Sequence, residues 1–288
     1  MLGVMLLSVL LDCVMNYREN DMNKPDAASP APIVEVGPPE AMADSLLIGK
    51  SETYTAGTAT VRHTHPVAQV LFAIEGVMQV ETALGQWIAP PSRAIWIPPG
   101  EWHQVRMLSR VRMRSVYVRH DAVQAMPAVC AVLAVTPLLR ELLLAAVQLQ
   151  PPHPPESRAE RLIRVLLDEL QVLPSLPLAL PIPADPLLLP LSESLRATPD
   201  DTRTTADWAA ALGIDSRTLQ RRFQRATGMS FGEWRRQARL LFALQQLAAG
   251  RRVLDVALDA GYASPSAFTA MFRRQFGATP SEFFTVLE

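Results

Sequence analysis

The C-terminal third of the chain repeats itself. Ala209 and Gly213 return 48 residues later as Ala257 and Gly261, while Leu219, Phe223, Gly228 and Trp234 return 49 residues later as Phe268, Phe272, Gly277 and Phe283. The one-residue difference falls in "YASPS". Each anchor has a physical reason. A small residue lets two helices cross closely, and Gly permits the positive φ of a tight interhelical turn. Leu219 and Phe223, at i and i+4, hold one face of a second helix to a core. The pattern predicts helix-turn-helix units over about 205–226 and 253–276. One such match would say little, because helical hairpins are common. Two in tandem, alike at the anchors and different at the exposed positions, read as two copies of one recognition unit.

The anchors leave Arg217, Gln220, Arg221, Gln224 and Arg225 on the outer face of the first recognition helix. Charge points the same way. From Arg203 onward twelve arginines stand against seven acidic residues, or +5, whereas the preceding residues carry 15 basic and 21 acidic groups, or −6. A basic tail behind an acidic front favours an anionic partner for the tail. Every cation there is Arg, the side chain suited to bidentate contacts with phosphate and guanine. Double-stranded DNA is the partner these features imply.

Over about residues 190–288, including "RRQARLLFALQQLAAG" and the closing "FGATPSEFF", the chain resembles the AraC/XylS family of bacterial transcription regulators. That resemblance implies two readers on a shared long helix, facing successive major-groove segments. It puts Arg217, Gln220 and Arg221 at the first unit's base-reading positions, and Pro265, Ser266, Thr269 and Ala270 at the second's. Ala270 stands where many members carry Arg, and Pro265 has no donor but suits a first helical turn. Base discrimination is therefore expected mainly from the first unit, with Arg273 and Arg274 of the second gripping the backbone.

The front of the chain reads differently. From Ser45 to Arg119, short apolar bursts such as "QVLFAIEGVMQVETALGQWIAPP" are broken by Gly76, Gly85 and Pro-Pro pairs, which predicts a sandwich or small barrel. His63 and His65, one residue apart, share a face if their segment is extended. Gly57, His63-Thr64-His65, Gln69 and Gly76 follow the first cupin motif, and "PPGEWH" (98–103) follows the second, so residues 45–120 resemble a cupin. The resemblance implies a ligand set of His63, His65, Gln69 and His103. Gln69 stands where metal-binding cupins usually carry Glu, and an amide is a neutral, weaker ligand. We therefore assign His63, His65, Gln69 and His103, with Trp96 and Trp102 as apolar walls, first to a small-molecule effector site. Second, His63, His65 and His103 form a candidate metal site for Zn, Fe, Ni or Cu. Histidines that merely hydrogen-bond inside the barrel are the bland alternative.

Between these regions, "MPAVCAVLAVTPLLRELLLAAVQL" and "ESRAERLIRVLLDELQVL" have helical periodicity and serve either as core or as a homodimer interface. The Pro-rich "LPSLPLALPIPADPLLLP" reads as a stiff linker. The expected fold is a multidomain α+β chain. It has an extension over 1–44, a cupin-like barrel over 45–120, a helical linker and dimerisation region over 121–183, and an all-α DNA-binding domain over 184–288. The apolar N-terminus lacks a basic n-region, is interrupted by Asp12 and is too short to span a bilayer, so it reads as an over-extended start or a short docking helix. Cys13 and Cys130 form no disulfide framework, and a cytoplasmic setting follows. The function implied is an effector-responsive transcriptional regulator without enzymatic activity, with RNA polymerase a candidate partner. Resemblance to a cupin-type subgroup adds repression of a neighbouring efflux transporter gene. A metal-dependent cupin enzyme with a regulatory DNA-binding tail is the rival reading. Arg221→Ala is expected to cost about 1–3 kcal/mol of operator binding and to relax one base position, while Arg273→Ala weakens all sequences alike. Equal losses on operator and random DNA for Arg221→Ala, measured by competition binding, would contradict this.

Overall fold

The computed structural model describes residues 33–34, 45–91, 93–122, 126–173, 175–176 and 178–285. The extension expected over 1–44 lies outside the described residues except for Ile33 and Val34. Twelve strands are described: β1 (Ile33–Val34), β2 (Leu47–Tyr54), β3 (Ala59–Thr60), β4 (Ala68–Glu75), β5 (Met78–Thr82), β6 (Gly85–Ala89), β7 (Arg93–Ile97), β8 (Gln104–Met107), β9 (Val111–Val118), β10 (Ala131–Ala134), β11 (Ser175–Leu176) and β12 (Ala179–Pro181). They form two six-stranded sheets, ordered β1-β3-β8-β5-β6-β12 and β11-β10-β7-β4-β9-β2. Leu71, Val80, Ile95, Ile97, Val105, Met107 and Met113 are buried in one core cluster contributed by both sheets.

Alternation along the strands decides what happens on the other face of the second sheet. Val70, Phe72, Trp96, Val116 and Val118 form a separate core with helices α1 (Pro137–Ala146) and α2 (Arg158–Gln171). Leu139, Leu143 and Ala146 supply α1's stripe, and Ile163, Leu166, Leu167 and Leu170 that of α2. The buried stripes of both helices are thus core, while Leu138 and Val165 stay exposed at 51% and 45%.

Two expectations are corrected here. "AVLA" at 131–134, read as part of a helix, is strand β10, paired with β7. A short apolar run buried on both faces carries no periodicity that separates helix from strand. The Pro-rich stretch expected as a free-standing linker instead adds edge strands to both sheets, β11 beside β10 and β12 beside β6. Proline tolerates edge positions because one side of an edge strand needs no donor.

Seven helices complete the described chain: α3 (Leu189–Ala197), α4 (Thr205–Ala211), α5 (Ser216–Thr227), α6 (Phe231–Ala248), α7 (Val253–Asp259), α8 (Pro265–Phe276) and α9 (Pro280–Thr285). The repeat appears as α4-α5 and α7-α8, with α6 between them. Leu219, Phe223, Phe268 and Phe272 are fully buried, and the rings of Phe231 and Trp234 meet Phe223 edge-on at 5.1 and 5.4 Å. The correspondence extends to the caps. Ser230 and Glu233 exchange hydrogen bonds at the start of α6, and Thr279 and Glu282 do the same at the start of α9. No helix among the described residues is long and apolar enough to cross a membrane, and Cys130 is buried and free. Truncating Phe223 to Ala should cost about 3–5 kcal/mol in chemical denaturation, since it empties the centre of the first unit. A loss under about 1 kcal/mol would show that the site collapses around the gap.

Candidate functional site

Two surfaces carry chemistry. On the first, Leu219 and Phe223 turn one face of α5 inward, and Arg217, Gln220, Arg221, Gln224 and Arg225 are all exposed on the other. The Gln224 amide donates to the Gly228 carbonyl at 2.7 Å, so it also caps its own helix. On α8, Ser266, Ala270, Arg273 and Arg274 are exposed, while Thr269 is half-buried. Ser264 caps α8 from the position before Pro265. Among the described residues, none of the arginines at 217, 221, 225, 273 and 274 forms an ion pair. The helix-turn-helix scaffold and these unneutralised guanidinia form a surface suited to a polyanion.

The second surface is inside the barrel. His63 and His103 pair through their backbones, with N–H to carbonyl distances of 3.1 and 2.9 Å in the two directions. That pairing sets their rings 4.2 Å apart, with His65 5.9 Å from His63 and 5.1 Å from His103. The three rings share one hydrogen-bonding pattern. Nδ1 of His63 lies 2.9 Å from the Val61 carbonyl, that of His65 2.7 Å from Val67 and that of His103 3.0 Å from Glu101. A carbonyl oxygen only accepts, so each Nδ1 carries a hydrogen, and the neutral rings of His63 and His103 present a lone pair at Nε2. One nitrogen from each ring falls within 4.8 Å of the others. Nε2 of His63 and of His103 are buried without a hydrogen-bond partner. His65 Nε2 instead lies 3.1 Å from the side-chain oxygen Oε1 of Gln69, whose Nε2 donates to Ser115 Oγ at 3.3 Å. The residue expected to be Glu thus presents its oxygen to His65 and its N–H to Ser115, and an ionised carboxylate has no hydrogen to give Ser115.

These groups border a cavity of about 10 Å³, lined by Glu52, Thr60, His63, Gln69, Leu71, His103, Val105, Met113, Ser115 and Tyr117. That is room for roughly one water-sized occupant. Sequence reading brings His63, His65, Gln69 and His103 together correctly and misplaces the tryptophans. Trp96 is buried in the outer core against α1 and α2, with its indole N–H donated to the Pro127 carbonyl at 2.8 Å. Its neighbours Ile95 and Ile97 face the barrel core instead, because strand residues alternate. Trp102 does not line the cavity; it is half-buried, with the Arg62 guanidinium 4.4 Å from its ring. The missed lining residues were within reach of strand parity. Gln69 pairs with Tyr117, and Leu71 with Ser115, so an inward Gln69 carries all three with it. Glu52 supplies a carboxylate to the wall, held by Lys50 at 2.8 Å.

Burial lowers His103 from the usual 6.5 to about 3, through desolvation of the charged form, and the same cause lowers His63. Both imidazoles are neutral at pH 7. The unfolded chain binds protons at these sites that the folded one does not, so stability falls as pH drops from 6.5 toward 3. Denaturation of chelator-treated protein between about pH 7 and 5, above the carboxylate range, should show this decline, and His103→Gln should flatten it. An equally steep profile in that variant would remove His103 as its source.

A family model described as an AraC-like ligand binding domain matches residues 49–171, and a helix-turn-helix domain model matches residues 208–285. The chain is 33% identical over 221 residues to the HTH-type transcriptional regulator NimR of Escherichia coli, covering 77% of this chain and 81% of that protein. It is 44% identical over 76 residues to the regulatory protein SoxS of Escherichia coli, covering 26% of this chain and 71% of SoxS. With RipA of Corynebacterium glutamicum it shares 39% identity over 105 residues, which is 36% of this chain and 32% of that regulator.

Proposed function

Because this chain belongs to the AraC family of helix-turn-helix transcriptional regulators, we propose that its operator affinity is set by the occupant of the histidine cavity, and that this occupant is a divalent transition-metal ion. The observation that carries the reading is the pair of orphaned Nε2 atoms of His63 and His103, buried and aimed at the same small space as His65. A buried acceptor with no partner is costly, and a metal ion satisfies it. Nδ1–H groups held by carbonyls are the outer support that orients metal-binding imidazoles. Organic ligands occupy sites of about 300–1,000 Å³, which this cavity does not offer as it stands. His63, His65 and His103 would hold the ion, with His65 released from the Gln69 amide. Bound there, the ion supplies a fixed double positive charge beside Tyr117 and Glu52.

The cavity wall has a direct route to the DNA-binding helices. His103 immediately precedes β8, which pairs with β5, Gln79 opposite Arg106. The Gln79 side-chain oxygen accepts a 2.7 Å hydrogen bond from Gln245 on α6. Along another edge, the Trp234 indole donates to the Pro181 carbonyl of β12 at 2.7 Å. The barrel therefore meets the helix shared by both readers directly, through Gln79, and also through the linker strand, at Pro181. A ligand shifts this arrangement only to the extent that it prefers one position of these contacts over another.

The test is metal titration and operator titration of one sample of full chain, purified without a metal-affinity tag. One Zn²⁺, Ni²⁺, Fe²⁺ or Cu²⁺ per chain is expected, lost in His63→Ala, with operator affinity changing about fivefold or more on loading. Gln69→Glu should tighten metal binding about tenfold or more, by replacing a neutral amide with a charged ligand. A chain that takes up no metal, or whose operator affinity ignores it, would sink the reading and point to an organic effector.

A further inference from the structure

Gly213 and Gly261 hold the same place in the repeat and have similar φ, 67° and 74°. Their surroundings differ. A Cβ on Gly213 would meet nothing within 4 Å, whereas one on Gly261 would lie 2.8 Å from Nη2 of Arg239 and 2.9 Å from Cα of Asp200. The turn of the second reader is thus packed against a side chain of the shared helix α6 and against the segment that leads into the first reader.

That segment, residues 199–203, is fastened to α6 by two arginines one helical turn apart. Arg239 donates Nε to the Pro199 carbonyl at 2.7 Å and Nη2 to the Asp201 carbonyl at 3.1 Å. Arg235 donates Nη1 to the Arg203 carbonyl at 2.6 Å and Nη2 to the Asp201 carbonyl. The Asp201 carboxylate pairs in turn with Arg203 at 2.8 Å, and the Arg203 guanidinium lies 3.6 Å over the ring of Trp208 on α4. Arg239 is therefore the one side chain in this network that touches the strap into the first reader and the turn of the second. Unlike the exposed arginines of α5 and α8, it is half-buried, and its Nε and Nη2 are committed to main-chain oxygens.

We propose that Arg239 is a positioning residue that fixes the separation and angle between the two DNA-reading helices. The planar guanidinium holds two carbonyls at once, a geometry that an ammonium cannot copy. Its other face leaves Gly261 no room for a side chain, so the second reader is set against the same plate that anchors the first. Arg239 acts on DNA recognition without contacting DNA. Operator sites are therefore read as one rigid pair rather than as two independently docking halves.

The test uses full-length protein and an operator obtained by selection with it. One base pair is inserted or deleted between the segments protected by the two readers, which moves the second site by about 3.4 Å and about a tenth of a helical turn. Wild type is expected to lose about tenfold or more in affinity on either altered spacer. Arg239→Ala should bind the original operator more weakly and discriminate among the spacers less than about threefold. Arg217→Ala, a change on the DNA-facing surface, should weaken all spacers in proportion and keep the discrimination. If Arg239→Ala fails to fold, Arg239→Lys carries the same comparison, because it keeps the charge and the stem but not the fork. Indifference of wild type to the spacer overturns the proposal, as does undiminished discrimination in the folded Arg239 variant.

Discussion

The indole of Trp234 donates its hydrogen to the carbonyl of Pro181, and the rest of the molecule is arranged around that contact. Trp234 is fully buried on α6 and packs edge-on against Phe223 of the first reader. Pro181 belongs to β12, which closes one edge of a barrel sheet beside β6. One side chain therefore joins the reader, the helix both readers share and the sensory barrel. An indole N–H buried without an acceptor costs stability, and the Pro181 carbonyl removes that cost for Trp234. Making it to a linker strand turns a proline-rich connection into part of both domains.

The histidine cluster follows a similar economy of polar groups. Three carbonyls hold three Nδ1–H groups, and Nε2 of His63 and of His103 is left without a partner beside a space of about 10 Å³. Burial keeps the His63 and His103 rings neutral, the form in which imidazole binds a metal. Gln69 holds His65 through its oxygen and Ser115 through its N–H, a division of roles that an ionised carboxylate cannot make. A site with that substitution is poised between a hydrogen-bonded state and a liganded one, which is what a sensor requires.

Much of this was legible in residue order, and the exceptions have physical causes. The helix-turn-helix units were readable because their anchors are local in sequence and every anchor is a buried contact. The reciprocal caps at Ser230–Glu233 and Thr279–Glu282 obey the same 49-residue offset and carried a readable signal that anchor residues alone do not use. Trp96 was misplaced because a strand has two faces and both are buried in the second sheet. Hydrophobicity cannot say which face holds the cavity, and only the pairing of Gln69 with Ile97 and Tyr117 does. The tract "AVLA" failed for the same reason, being apolar on every side.

Residue order by itself determined the tandem readers, their exposed arginines and the spacing of the histidines, because each depends on short-range periodicity and on which side chains can be buried. Tertiary structure alone decided which groups meet across the chain. Strands β11 and β12 complete sheets whose other members lie far earlier in sequence. Gln79 reaches Gln245, and Arg239 separates two glycines that the repeat makes equivalent by crowding only one of them. Such contacts depend on where distant backbones come to lie, and no local pattern of residues encodes that.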